Sequence, residues 1–185
     1  MNPELAAEPG AGIHATAVIY GESGVLILGP SGSGKSALGL ALLARARGSG
    51  AFGALVGDDR VYLRCASGRL VASGASHMAG IIERRAAGLI GVEHASATVV
   101  RLAVELCEQG RTWPRLPDNP DSVAIADVRL PRLALDSGQG AGDRALAVDE
   151  RLAALAAENS KLNRISLEHC AAVHKNGRLE PSPPA

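Results

Sequence analysis

Residues Gly29-Pro30-Ser31-Gly32-Ser33-Gly34-Lys35-Ser36 fill every fixed position of the pattern G-x-x-x-x-G-K-[ST]. Glycines let successive backbone N–H groups turn inward and form an anion-binding nest. A helix starting at the end of the loop presents its positive terminus to the same anion. Lys35 carries the charge that reaches β- and γ-phosphates, and the Ser36 hydroxyl is a hard oxygen ligand suited to Mg²⁺. The chemistry is phosphate binding, with ATP and Mg²⁺ as the default ligands.

A nucleotide site that does chemistry also needs an acidic residue near the metal and the attacking group. Asp58 and Asp59 stand together after a short apolar run. Two adjacent carboxylates can divide the work, one facing the metal shell and the other taking a proton from a substrate hydroxyl. Alone, the pair would also suit a polar turn at a strand end. Glu83-Arg84-Arg85 is the next cluster. Its carboxylate can complete a metal shell and its guanidiniums can hold phosphate charge, although such a run is more often a solvated face. His14 by itself reads as an ordinary strand histidine.

The flanking elements suit these roles. Gly24 to Leu28 is an apolar run of the kind that forms a buried strand before the loop, and Ala37 to Arg47 is rich in helix-forming Ala and Leu. Ile13 to Tyr20 reads as a strand, and Ala54 to Val56 as a short strand ending at the Asp pair. Val61 to Arg64 and Arg69 to Ala72 can form a hairpin, and Ala97 to Leu106 is a long strand. Arg111 to Pro120 holds three prolines and reads as a loop. Val123 to Leu135 supplies one or two strands, broken near Pro131. Arg144 to about Lys175 has helical periodicity, as one helix or as two broken near Asn159-Ser160. The domain reading is a disordered 1–12, a P-loop domain over 13–143, a helical segment over 144–175 and a disordered tail over 176–185. The strand-rich middle predicts an α/β P-loop fold with a mixed sheet rather than a regular doubly wound one.

Composition narrows the classes. The chain has 185 residues, room for one real core. With 46% hydrophobic residues and 2% aromatics, that core must be aliphatic. Lys+Arg and Asp+Glu are 19 each, so bulk charge favours neither nucleic acid nor an anionic membrane as partner. No run is long and apolar enough to span a bilayer, and the first residues lack the order of a signal peptide. Cys65, Cys107 and Cys170 are widely spaced, which argues against zinc or disulfide frameworks and for a cytoplasmic setting.

Taken together, these segments resemble the catalytic domain of HPr kinase/phosphorylase, which phosphorylates a serine of the phosphocarrier HPr. His14-Ala15-Thr16-Ala17-Val18 resembles the family's His-bearing strand, and Gly24-Val25-Leu26-Ile27 with the P-loop follows in order. Leu55-Val56-Gly57-Asp58-Asp59-Arg60-Val61 resembles its Asp-Asp strand. Gly80-Ile81-Ile82-Glu83-Arg84-Arg85-Ala86-Ala87-Gly88-Leu89-Ile90 resembles its I-E-x-R-G-x-G-I-I signature. The resemblance implies that His14 and Lys35 are catalytic near the transferred phosphoryl, that Ser36 and Glu83 hold Mg²⁺, and that Asp59 is the base. Asp58 is then left to the metal shell, and Arg85 to phosphate charge within the signature. Arg115 corresponds to a later catalytic arginine. The resemblance further implies an HPr-like partner protein and a homo-oligomer, hexameric in the family.

The chain departs from the family pattern in places. Ala37 stands where the family has Glu, Ala86 replaces the first signature glycine, and no Gly-Arg-Asn motif occurs in 137–144. These departures predict a catalytic-domain-only protein-serine kinase with weak or absent phosphorylase activity. A small-molecule P-loop kinase and a non-catalytic ATP-binding regulator are the alternatives. Transfer of phosphate to a partner protein separates all three.

Overall fold

The structure is a computed structural model and describes residues 12–84, 87–107 and 121–176, with side chains through 161. The expected disordered N-terminus and tail, Arg85, Ala86 and the proline-rich loop with Arg115 lie outside the described residues, apart from Gly12 and Asn176 at their inner edges.

In chain order the elements are β1 (Gly12–Ile13), β2 (Thr16–Tyr20), β3 (Ser23–Leu28), α1 (Lys35–Ser49), β4 (Gly53–Gly57), β5 (Val61–Ala66) and β6 (Arg69–Gly74). A 3-10 turn at Ser76–Met78 leads to β7 (Ile81–Arg84) and β8 (Gly88–Gly91). The chain continues with β9 (Ala97–Cys107), β10 (Ser122–Ile125), β11 (Val128–Asp136) and α2 (Ala141–Asn176). The sheet order is β1-β5-β6-β9-β3-β2-β4, with β10 and β11 joined through β9, and β7-β8 form a separate hairpin. The sheet is mixed, as predicted: β3 and β11 both run parallel to β9, and the other pairs are antiparallel.

Strand alternation divides the burial. Ala15, Ala17, Leu26, Val56, Val61, Leu63, Leu70, Val100 and Ile125 belong to one aliphatic cluster. The intervening Thr16 and Val18 face α1, where a Cβ at Gly39 would stand 3.0 Å from the Thr16 methyl carbon and 3.5 Å from Val18. Leu38, Leu42, Leu43 and Ala46 are the buried apolar face of α1. That helix ends at Gly50, φ 72°, where the Gly50 and Ala51 amides bond to Arg47 and Ala46 carbonyls. This glycine cap stops the helix and returns the chain into β4.

Several boundaries differ from expectation, beginning with the run 13–20, which is interrupted at His14-Ala15 between β1 and β2. The break between 123 and 135 falls at Ala126-Asp127, not at Pro131. Both turn residues have positive φ, 47° and 61°, the geometry of a tight two-residue hairpin turn. Pro131 stays inside β11 opposite Ser122, and the neighbouring Arg132 amide donates to Asp121. Proline therefore sits at a pair that asks it for no hydrogen bond. The C-terminal helix is continuous from Ala141 to Asn176, with no break at Asn159-Ser160. The Ser160 hydroxyl donates to the Ala156 carbonyl within the helix rather than capping a new one.

The chain separates into two units after Asp149. The first holds the sheet, α1 and the opening turns of α2. The second holds the rest of α2, where Arg151 and Glu158 are 3.9 Å apart. The expected boundary lies earlier, at 143, but Arg144 bonds to Ser33 in the loop before α1, and Asp149 to Tyr20 of β2 and Arg45 of α1, which keeps the opening turns in the first unit.

Candidate active site

The P-loop joins β3 to α1. Gly29 has φ 149°, and a Cβ there would stand 2.7 Å from the Leu106 carbonyl oxygen and 2.8 Å from Ser33 Oγ. Gly34 is the left-handed N-cap of α1, φ 90°. Both positions exclude other residues by conformation and by space. The first turn of α1 carries no acidic residue, and among the described residues no side chain caps its N-terminus. The helix end is thus left to an anion.

Lys35 is 6% exposed, and its Nζ donates to the Gly29 and Pro30 carbonyls at 2.9 Å each. Burial lowers its pKa from the usual lysine value, while the negative charges of Asp58 and Asp59 act in the opposite direction. The lysine, the loop and the acidic pair share one electrostatic neighbourhood.

The two carboxylates have different partners. Asp58 Oδ1 accepts from the Ser36 hydroxyl at 3.0 Å and from the Thr16 hydroxyl at 2.5 Å. Asp59 Oδ1 lies 2.8 Å from His14 Nδ1, with the two side chains 81% and 48% exposed respectively. The chain turns sharply between them. The Arg60 amide donates to the Asp58 carbonyl at 2.8 Å, and the intervening Asp59 has φ 65°. A three-residue turn with a left-handed centre is strained, and strain in a non-glycine residue concentrates at functional positions.

Sequence reasoning missed Arg144. It is 4% exposed, its Nη1 donates to the Ser33 carbonyl at 3.1 Å, and a Cβ on Gly34 would come within 2.9 Å of Nη2. Burial lowers its pKa and the Asp136 carboxylate opposes that. Its Nε and the Ser33 hydroxyl are both buried without a hydrogen-bond partner among the described residues. One signal was available: a cation in the first turn of a helix opposes the helix dipole and needs a reason to be there. Nearby, Asp149 accepts from Tyr20 at 3.0 Å and from Arg45 Nε and Nη2 at 2.9 and 2.6 Å, tying β2, α1 and the start of α2.

Of the expected site residues, the structure brings together His14, Lys35, Ser36, Asp58 and Asp59 around the loop Gly29, Pro30, Ser31, Gly32, Ser33 and Gly34. Glu83 is not part of that hydrogen-bonded group. It lies exposed on β7, while its neighbour Ile82 is buried and packs near Gly39 of α1. Among the described residues no group of three His, Cys, Asp or Glu converges. The hydroxyl of Ser36 and the carboxylate of Asp58 are nonetheless a hard oxygen pair. They suit Mg²⁺, which takes one or two protein ligands and fills its remaining positions with water and phosphate. Among the described residues no helix is long and apolar enough to cross a membrane.

A family model described as the HPr serine kinase C-terminal domain matches residues 6–169. HPr kinase/phosphorylase of Bacillus licheniformis is 34% identical over 170 residues, covering 86% of this chain and 51% of that protein. The Bacillus subtilis protein of the same name is 33% identical over 171 residues, with the same coverage. The chain therefore spans about half the length of the curated relatives it matches. A solved structure, the Hpr(Ser) kinase/phosphatase from Coxiella burnetii, superposes with a TM-score of 0.63 at 24% identity, covering 85% of this chain and 98% of that one. That likeness establishes the fold, a P-loop α/β domain with a mixed sheet.

Proposed function

We propose, from the premise that the chain belongs to the HPr serine kinase C-terminal domain family, that it transfers the γ-phosphoryl of ATP to a serine of an HPr-like phosphocarrier. The division of the acidic pair is the observation that carries this reading. Asp58 is engaged with the P-loop serine, whereas Asp59 is turned out to solvent with His14 beside it. An exposed base suits a hydroxyl carried on the surface of another protein. A small-molecule kinase would instead enclose its acceptor in a pocket.

The residues act as follows. The P-loop amides and Lys35 hold the phosphates and the charge that spreads over the transferring group. Asp59 accepts the serine proton as the serine oxygen bonds to the γ-phosphorus and the bond to the departing ADP oxygen breaks. His14 holds Asp59 in place and lies beside the same proton path. Ser36 and Asp58 would hold Mg²⁺, with Glu83 as a third ligand by family resemblance. When bound, that ion supplies neutralisation of phosphate charge. Arg85 and Arg115 are assigned to phosphate charge and catalysis by the same resemblance. The protein is proposed to act in the cytoplasm as a homo-oligomer, with no nucleic acid or membrane as partner.

The test is incubation with labelled ATP, Mg²⁺ and a purified HPr-like phosphocarrier, followed by mapping of the label. The expected product is phosphoserine on the carrier. ATP binding without label transfer would favour the non-catalytic regulator, and transfer to a small hydroxyl compound alone would favour the small-molecule kinase.

A further inference from the structure

The machinery assigned so far does not use Thr16. It is the first residue of β2 and is completely buried, in a sheet whose core is otherwise almost wholly aliphatic. Its two γ-substituents point to different tasks. The methyl carbon packs toward α1, 3.0 Å from where a Cβ on Gly39 would stand. The hydroxyl donates at 2.5 Å to Asp58 Oδ1, the same oxygen that accepts from Ser36. A carboxylate free to rotate about χ2 has two equivalent oxygens to offer. With two donors converging on Oδ1, that rotation is stopped.

His14, just before β2, and Thr16 both matter to the acidic pair. His14 and Thr16 lie two positions apart and contact Asp59 and Asp58 respectively. The two carboxylates are thus sorted by neighbours on one stretch of chain, and the strained turn at Asp59 separates them.

We infer that Thr16 is a positioning residue: its buried hydroxyl locks the Asp58 carboxylate onto the P-loop serine, setting the affinity of the site for the cation that accompanies the nucleotide. The inference rests on the proposed nucleotide-binding role of the loop. Hydrogen bonds that orient metal-binding groups typically change metal affinity or activity by roughly 10–100-fold when removed.

Two variants separate the hydroxyl from the methyl. Thr16→Val keeps shape and the α1 contact but removes the donor. Thr16→Ser keeps the donor but removes the methyl. The readout is binding of a fluorescent, non-hydrolysable ATP analogue, titrated with Mg²⁺. The expected result for Thr16→Val is a rise of roughly tenfold in the Mg²⁺ concentration giving half-maximal binding. Thr16→Ser should stay within about twofold of the parent while melting at a lower temperature, as a lost buried methyl requires. A Mg²⁺ requirement unchanged in Thr16→Val, or raised equally in Thr16→Ser, would overturn the inference and leave Thr16 a packing residue. Should Thr16→Val lack a cooperative melt, Thr16→Ala, which lacks both groups, must show the rise that Thr16→Ser, which lacks only the methyl, does not. If the parent protein itself shows no Mg²⁺-dependent binding, the proposed function falls and this inference with it.

Discussion

Lys35 is the residue for which ligand binding and folding stand in plainest opposition. Its ammonium is buried against two carbonyls, and burial disfavours its charge. Lys35→Met should lower phosphoryl transfer by at least about 100-fold, the scale for removing one preorganised electrostatic contact. The melting temperature should not fall, because the folded state no longer holds a poorly solvated charge; differential scanning fluorimetry beside the transfer assay checks both. Asp59→Asn keeps shape and cannot accept a proton. Transfer should drop by roughly 10²–10⁴-fold with nucleotide binding nearly unchanged. If Asp58→Asn alone produces that pattern, the roles of the two carboxylates are reversed. The P-loop and the acidic pair were legible in the sequence because local spacing encodes them. Thr16 and Arg144 were not. A threonine in a strand is ordinary, and Arg144 meets Ser33 only because the fold joins positions far apart in the chain.

At the scale of elements, β3, α1, β4 and β9 could be read directly, since each pairs a clear apolar pattern with a glycine or polar boundary. The hairpin between β10 and β11 was misplaced because Ala126-Asp127 is not a glycine-bearing turn, while Pro131 looks like a break. The Tyr20, Arg45 and Asp149 clamp was also invisible, as it joins three elements distant in sequence. It has a pH signature. Burial, then the hydrogen bond and charge of Asp149, raise the Tyr20 pKa from 10.0, with Arg45 opposing. The folded state therefore keeps its phenol proton after the unfolded state has begun to lose it. The clamp's contribution is full below pH 10.0 and declines as pH rises through the higher folded value. Urea midpoints of the parent should run parallel to those of Tyr20→Phe below pH 10.0 and fall more steeply as pH rises beyond it. Parallel curves would show that Tyr20 does not sense the clamp.

For the molecule as a whole, the strand-rich middle announced a mixed sheet, and the succession of motifs announced the family. Neither revealed that β9 would lie between β6 and β3, because pairing of distant strands leaves no local mark. The same scale bears on the direction of the proposed phosphoryl transfer. The nest and Lys35 suit inorganic phosphate, yet 137–144 contains no Gly-Arg-Asn and Ala86 stands where the family has glycine. Phosphate-driven release of pyrophosphate from a phosphoserine-loaded carrier should be weak or undetectable under conditions where the forward reaction is readily measured. Comparable rates in both directions would make the missing motif dispensable. The place of β9 also has a consequence in time. Leu26, just before the P-loop, pairs with Ala103, so roughly 80 residues must be synthesised before that edge of β3 finds its partner. At ribosomal speeds of about 5–20 residues per second, the nascent loop waits on the order of 4–16 s. Throughout that interval Val25, Leu26 and Ile27, all sealed from solvent in the finished fold, lack the strand that covers one of their edges. β3 and the loop that follows it thus leave the ribosome well before β9, the partner of that edge. An apolar edge left open over that interval is a template for pairing with another chain.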